Sequence, residues 1–140
     1  MIEKFMTLLP PEASRLLLVF FLSFLIGLER EELKQSGRRA FGGVRTFPLL
    51  GLMGHAIAYI TQGSVVGLGI GFAVVAAFML VSYWFKQRYS SDAGITTELS
   101  GLVVYLMGSL VYFGHVWFAC TLVVANLLLL ELKDALEGLT

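Results

Sequence analysis

The sequence contains two very long stretches without a charged residue. Thr46–Phe85 has 40 consecutive residues with no Asp, Glu, Lys or Arg, and Leu99–Leu130 has 32. Only 14% of the chain is charged, against about 25% in an ordinary soluble domain. One small soluble core cannot hold such stretches, whereas the hydrocarbon interior of a bilayer selects against charge. The pattern predicts an all-α protein that crosses a membrane several times, with the lipid bilayer as its principal partner.

The apolar stretches divide into five helices of membrane-spanning type. A helix needs about 20 apolar residues to cross the hydrocarbon core, so a stretch of 40 is too long for one span. Polar and glycine residues interrupt the two long stretches near 61–64 and 113–115, and charged residues end an earlier apolar run after Leu28. We therefore predict one domain over 1–140, a polytopic bundle of five transmembrane helices, two of them short. The expected spans are 13–31, 44–60, 65–85, 96–112 and 116–132, of which the second and the fourth are the short ones.

The distribution of lysine and arginine predicts the orientation of the chain. Five spans leave only Lys4 and Arg15 of the 10 basic residues on the side opposite the C-terminus. Because cytoplasmic loops carry the excess of lysine and arginine, we expect the N-terminus outside and the C-terminus in the cytoplasm.

Several function classes are excluded by composition and by motif. The net charge is zero, which argues against a nucleic-acid partner, and the single cysteine, Cys120, excludes a disulfide framework within one chain. The sequence has no G-x-S-x-G, no H-E-x-x-H and no P-loop. We expect neither an enzyme nor a resident cofactor.

Polar residues gather where the first, second and fourth spans meet the cytoplasmic surface. Carboxylates are the hard oxygen ligands that Mg²⁺ prefers, so Glu29 and Glu98 are the candidate metal ligands. Arg45 is expected to be half-buried and within ion-pair reach of one of them. The complete candidate ion-binding and polar cluster is Glu29, Arg30, Glu31, Arg45, Thr46, Thr96, Thr97 and Glu98.

Each of these residues also has a purely structural interpretation. The Glu-Arg-Glu sequence at 29–31 is typical of a solvated stop in the headgroup zone. Glu98 resembles a capping carboxylate at a helix start, and Arg45 resembles a simple cytoplasmic anchor.

Two further patterns concern packing. Gly63, Gly67 and Gly71 form two overlapping G-x-x-x-G patterns, which favour close helix packing within one subunit or between subunits; we expect a homodimer. The segments at 43–46 and 94–97 share a G-[VI]-x-T pattern 51 residues apart. Unless this is coincidence, it predicts two hairpins inserted in the same orientation, a known transporter arrangement.

Three motifs together resemble the MgtC/SapB family of bacterial membrane proteins. They are IGLERE at 26–31, GVRTF at 43–47 and GITTE at 94–98, and the resemblance covers about 16–133. It implies a compact five-helix bundle in the bacterial inner membrane and a link to Mg²⁺ homeostasis. The GITTE motif resembles the branch in which this domain precedes a second membrane domain. MgtC-type members have a soluble C-terminal domain, whereas this sequence ends at Thr140.

The resemblance leaves three functions open. The first is transport or permeation of a divalent cation, with Mg²⁺ as the transported or regulatory ion and the polar cluster as gate or binding site. The second is a non-transporting regulator that binds a partner membrane protein through its small-residue faces. The third is a structural module of a larger transporter.

Overall fold

Five α-helices make up the described part of the chain, which contains no strand. The computed structural model describes residues 11–35, 44–89 and 96–139, with the side chains of 11–12, 31–35, 86–87, 89, 96–97 and 133–139 outside that description. The all-helical class is as predicted, and the five described helices correspond to the five predicted spans. The helices are α1 Pro11–Gln35, α2 Thr46–Ile60, α3 Val65–Tyr89, α4 Thr96–Tyr112 and α5 Val116–Leu139.

The helix bounds follow from local chemistry. The apolar spans predict α2 and α4 to within two residues, whereas α1, α3 and α5 continue beyond them. Those extensions are rich in Glu, Lys, Arg and Gln, which are good helix formers outside a membrane as well as inside it. After α2, Gln62 and Gly63 adopt positive φ values of 55° and 77°. The amide of Gly63 donates to the carbonyl of Ala58 at 2.8 Å, which closes the helix end before α3 begins.

Among the described residues, one helix has the length and hydropathy of a membrane span. Val65–Phe85 comprises 21 residues with a mean hydropathy of 2.4. Thr46–Ile60, Glu98–Tyr112 and Val116–Leu132 are apolar but shorter. The helical architecture is therefore confirmed, while the crossing of a membrane by all five helices stays a prediction.

The fourth helix lies at the centre of the structure. It contacts each of the other four helices, and its contact with α2 is the most extensive between any two described helices. Most side chains of α4 are consequently buried or partly buried, although Leu99 and Leu106 are exposed. The buried side chains include Val104, Tyr105, Met107 and Val111, which belong to the hydrophobic core.

The α2 and α4 backbones touch directly. A Cβ atom at Gly54 would collide with the carbonyl oxygen of Tyr105, and one at Gly108 would collide with the carbonyl oxygen of Gly51. The hydroxyl of Ser109 donates to the carbonyl of Gly54 at 3.2 Å. Small residues thus allow the two helix backbones to approach more closely than larger side chains would permit.

The two helices run in the same direction. Near their starts, Gly101 lies against Leu50, and near their ends Gly63 lies against Phe113. The rings of Tyr59 and Tyr112 also meet edge to face, with centroids 6.4 Å apart. This parallel arrangement is the one that the G-[VI]-x-T repeat predicts.

The glycines singled out in the third span pack within this chain. Gly63 faces the ring of Phe113, Gly67 faces the side chain of Thr61, and Gly71 faces the hydroxyl of Tyr105. These glycines therefore make intrachain contacts and are partly buried. Their G-x-x-x-G patterns give no support to a subunit interface. The homodimer remains a prediction, and these glycines do not contribute evidence for it.

Candidate functional site

The buried face of α1 ends in an arginine. Val19, Ser23, Ile26 and Arg30 follow one another at intervals of four, three and four residues, which places them on one side of a helix. All four are 0% exposed. Arg30 therefore continues the buried stripe into the bundle, although the Glu-Arg-Glu sequence resembles a solvated stop.

Glu29 lies beside Arg30 at the rim of this buried region. Nη2 of Arg30 is 3.4 Å from Oε1 of Glu29, and the Glu29 side chain is 17% exposed. Burial of an ion pair has a large desolvation cost, so the buried position of Arg30 is weak evidence that the pair stabilises the fold. It is stronger evidence that Arg30 has a specific functional role.

Glu98 is the second buried charge. It lies in the first turn of α4 and is only 2% exposed. The positive end of the helix dipole favours a carboxylate there, but its burial shows that Glu98 is more than a solvated cap.

Arg30 and Glu98 belong to the same end of the bundle. At the opposite end, Nη1 of Arg15 donates to the carbonyl oxygen of Tyr112 at 3.0 Å. The first turns of α1 therefore meet the last turn of α4, and these two contacting helices run antiparallel. We call the end at which α1 finishes and α4 begins the Arg30 end, and the other the Arg15 end.

A neutral polar pair links α4 to α5. The hydroxyl of Ser100 donates to Oδ1 of Asn126 at 2.8 Å, and both residues are buried. Asn126 therefore bonds a neighbouring helix, as is common for asparagine in membrane helices. Ser100 was not singled out, because a lone serine in an apolar stretch carries no periodic or motif information. Within the described residues, Nδ2 of Asn126 has no hydrogen-bond partner.

Arg45 does not occupy the expected position. Its side chain is exposed and forms no ion pair with any described residue. As the N-cap of α2 it precedes the helix and makes no side-chain capping bond, so it is not carried into the bundle as Arg30 is. The expected half-burial of Arg45 was wrong; the inward-facing arginine is Arg30.

The remaining predicted cluster residues divide into two groups. Thr46 begins α2 and is partly buried. The side chains of Glu31, Thr96 and Thr97 lie outside the described residues. The described part of the chain contains no group of three or more His, Cys, Asp or Glu side chains able to hold a metal. Glu29 and Glu98 remain the candidate ligands, and Mg²⁺ is often held by only one or two carboxylates with several waters.

Comparison with known proteins identifies the family to which the chain belongs. The sequence model of the MgtC family matches residues 16–139. The chain belongs to the MgtC family. It is also 36% identical, over 52 residues, to "Probable transporter MCH2" of Saccharomyces cerevisiae (strain ATCC 204508 / S288c). That match covers 36% of this chain but only 11% of the yeast protein. No solved structure matches the chain. Membership of the family and the span-length helix Val65–Phe85 together support a membrane location.

Proposed function

We propose that this MgtC-family chain is an integral protein of the bacterial inner membrane that transports or conducts Mg²⁺. The observation that carries the proposal is the burial of Arg30 and Glu98 at the same end of a bundle whose described residues include no other buried Asp, Glu, Lys or Arg. Ionisable side chains inside a membrane are costly, and they typically mark ion pathways. Family membership and the resemblance to a protein named as a transporter agree with this role.

The buried and partly buried charges described at the Arg30 end favour a cation. Glu29, Arg30 and Glu98 carry two negative charges and one positive charge, which leaves an excess of one negative charge. Arg30 partly neutralises Glu29, whose Oε1 lies 3.4 Å from Nη2 of Arg30. Glu29 lies at the rim, where an entering cation arrives first. Glu98 lies deeper, so it is the ligand that the ion reaches after losing part of its water shell. This role involves no covalent chemistry.

Flux in liposomes tests the transport proposal. The purified chain is reconstituted around a trapped Mg²⁺-sensitive dye, and Mg²⁺ is added outside. We expect Glu98→Gln to reduce the initial rate by about tenfold or more, because the deep ligand loses its charge; tenfold corresponds to about 1.4 kcal/mol.

Glu131→Gln is the matched control, since Glu131 is an exposed acid on α5. It should retain the wild-type rate, and all variants are compared by their elution profiles in detergent. Absence of flux from folded wild-type protein would overturn the proposal. An unchanged rate in a Glu29→Gln/Glu98→Gln double variant would remove the site.

The proposed orientation places the Arg30 end in the cytoplasm and the Arg15 end outside. In a Cys120→Ser background, single cysteines at Ser64 and His115 should react with a membrane-impermeant maleimide in intact cells. Cysteines at Ser91 and Thr140 should react only after permeabilisation. The reverse labelling pattern would contradict this topology.

A regulator that binds another membrane protein is the second candidate. One observation favours it: Gly69, Ala73 and Ala77 are all exposed on α3 and are spaced four residues apart. A Cβ atom at Gly69 would meet nothing within 4 Å. Such a face suits close helix approach by a partner helix or by a second copy of this chain. Folded protein without flux would favour this alternative.

A further inference from the structure

The end of α3 combines exposed aromatic rings with an arginine. Trp84 is 54% exposed, and its ring meets that of Phe85 edge to face with centroids 5.5 Å apart. The guanidinium carbon of Arg88 lies 5.1 Å from the centroid of the Trp84 ring. Since Val81, Trp84 and Arg88 are three and four residues apart, they share one face of the helix.

An open apolar groove lies beside these rings. It has a volume of about 500 Å³ and is lined by Leu80, Val81, Tyr83, Trp84 and Phe85. Arg88 stands one helical turn beyond Trp84, where the uncharged stretch of α3 has ended. An apolar groove with a cation at its end is chemically complementary to an anionic amphiphile, that is, to an acyl chain that ends in a negatively charged headgroup.

This end of α3 lies at the Arg30 end of the bundle. Met79 faces Gly101 near the start of α4, whereas Gly71 faces Tyr105 further along α4. The two helices therefore run antiparallel, and α3 finishes at the end where α4 begins. In the proposed orientation this end is cytoplasmic, where aromatic residues collect at headgroup level and anionic lipids attract arginine.

We propose that the groove binds one acyl chain of an anionic phospholipid of the inner leaflet, with the lipid phosphate held by Arg88. A guanidinium offers a phosphate two parallel hydrogen bonds. The exposed Trp84 ring covers the glycerol region, and the cation–π contact keeps Arg88 above the ring. The assignment rests on the membrane location and orientation proposed above, but not on transport of Mg²⁺.

The two tryptophans of the chain provide a direct test. Trp84 reports on the groove, and Trp117, which is exposed at the start of α5, reports on the Arg15 end. The full chain carrying Trp117→Phe is reconstituted in phosphatidylcholine bilayers. Dibrominated phosphatidylglycerol or dibrominated phosphatidylcholine is then titrated in, because bromine on an acyl chain quenches a tryptophan that it touches. The apparent association constant for the brominated phosphatidylglycerol should be about fivefold higher, the ratio expected for one basic residue near an anionic headgroup.

Arg88→Gln should lower that ratio to one, and Arg88→Lys should retain part of it. Arg45→Gln is the matched control, since Arg45 is exposed at the same end but starts α2 without the aromatic groove; it should leave the ratio unchanged. A ratio of one in the Trp117→Phe protein, or a ratio that survives Arg88→Gln, would overturn the site. An equal loss in Arg45→Gln would reveal diffuse surface attraction and would also overturn it. Failure of the membrane proposal looks different, since neither brominated lipid would then quench Trp84.

Discussion

Replacing Gly54 or Gly108 by leucine should prevent the bundle from folding. At both positions a side chain would meet a backbone carbonyl of the facing helix rather than a movable side chain. The only remedy is to separate α2 from α4, which breaks the most extensive contact between described helices. Overpacking a core by a few methylene groups already costs about 1–3 kcal/mol, so we expect a larger loss here. A GFP fusion should lose its monodisperse peak in size-exclusion chromatography.

Gly69→Leu provides the control on the outward face of α3, where nothing lies within 4 Å of an added Cβ. This variant should elute as the wild type does. Gly108→Ala should be intermediate, with a lower melting temperature but a recognisable folded peak. A wild-type melting temperature for Gly108→Ala would show that the two backbones do not touch.

Replacing Arg30 by glutamine should destabilise the chain far more than replacing Arg45. Arg30→Gln removes the buried cation that lies 3.4 Å from the carboxylate of Glu29. Breaking a buried ion pair by removing one partner costs about 3–5 kcal/mol. Arg45 is exposed, and exposed substitutions are usually within about 0.5 kcal/mol of neutral.

The two arginine variants are to be compared by their melting temperatures in one mild detergent. Arg30→Lys separates charge from shape, since lysine keeps the charge but loses the planar, forked geometry. It should recover part of the loss. Equal stability of Arg30→Gln and Arg45→Gln would contradict the burial of Arg30.

The number of helices and most of their bounds could be predicted because charge and hydropathy specify them locally. α2 and α4 begin within their G-[VI]-x-T segments and end before turns that contain Gly63 and Gly114, all of which are visible in the sequence. The end of α3 was predicted from the apolar stretch alone, and the helix continues four residues beyond that end. A hydropathy pattern marks the end of the apolar stretch, and helix propensity extends the helix past it.

The inward-facing arginine could not be chosen from hydropathy because α1 is apolar on every side between Leu16 and Leu28. A helix without a polar face does not reveal which side is buried. One indication was present: Ser23 is the lone polar residue of that run, and Arg30 follows it by seven positions, on the same face. The pairing of α2 with α4 was equally hidden, because glycines such as Gly54 and Gly108 favour close approach by a neighbouring helix but do not specify which helix it is.

The contact between α2 and α4 also affects how the protein is made. Gly54 and Tyr105 are 51 residues apart in the chain, and all of α3 lies between them. At about 5–20 residues per second of synthesis, α2 leaves the ribosome about 3–10 s before the backbone against which it packs. Helices form in about a microsecond, so α2 exists as a helix for seconds before His55 can reach the carbonyl of Gly108. During biogenesis a short helix with exposed glycines and one histidine thus waits without its partner. A nascent chain stalled before α4 should be a preferred substrate of membrane quality-control proteases.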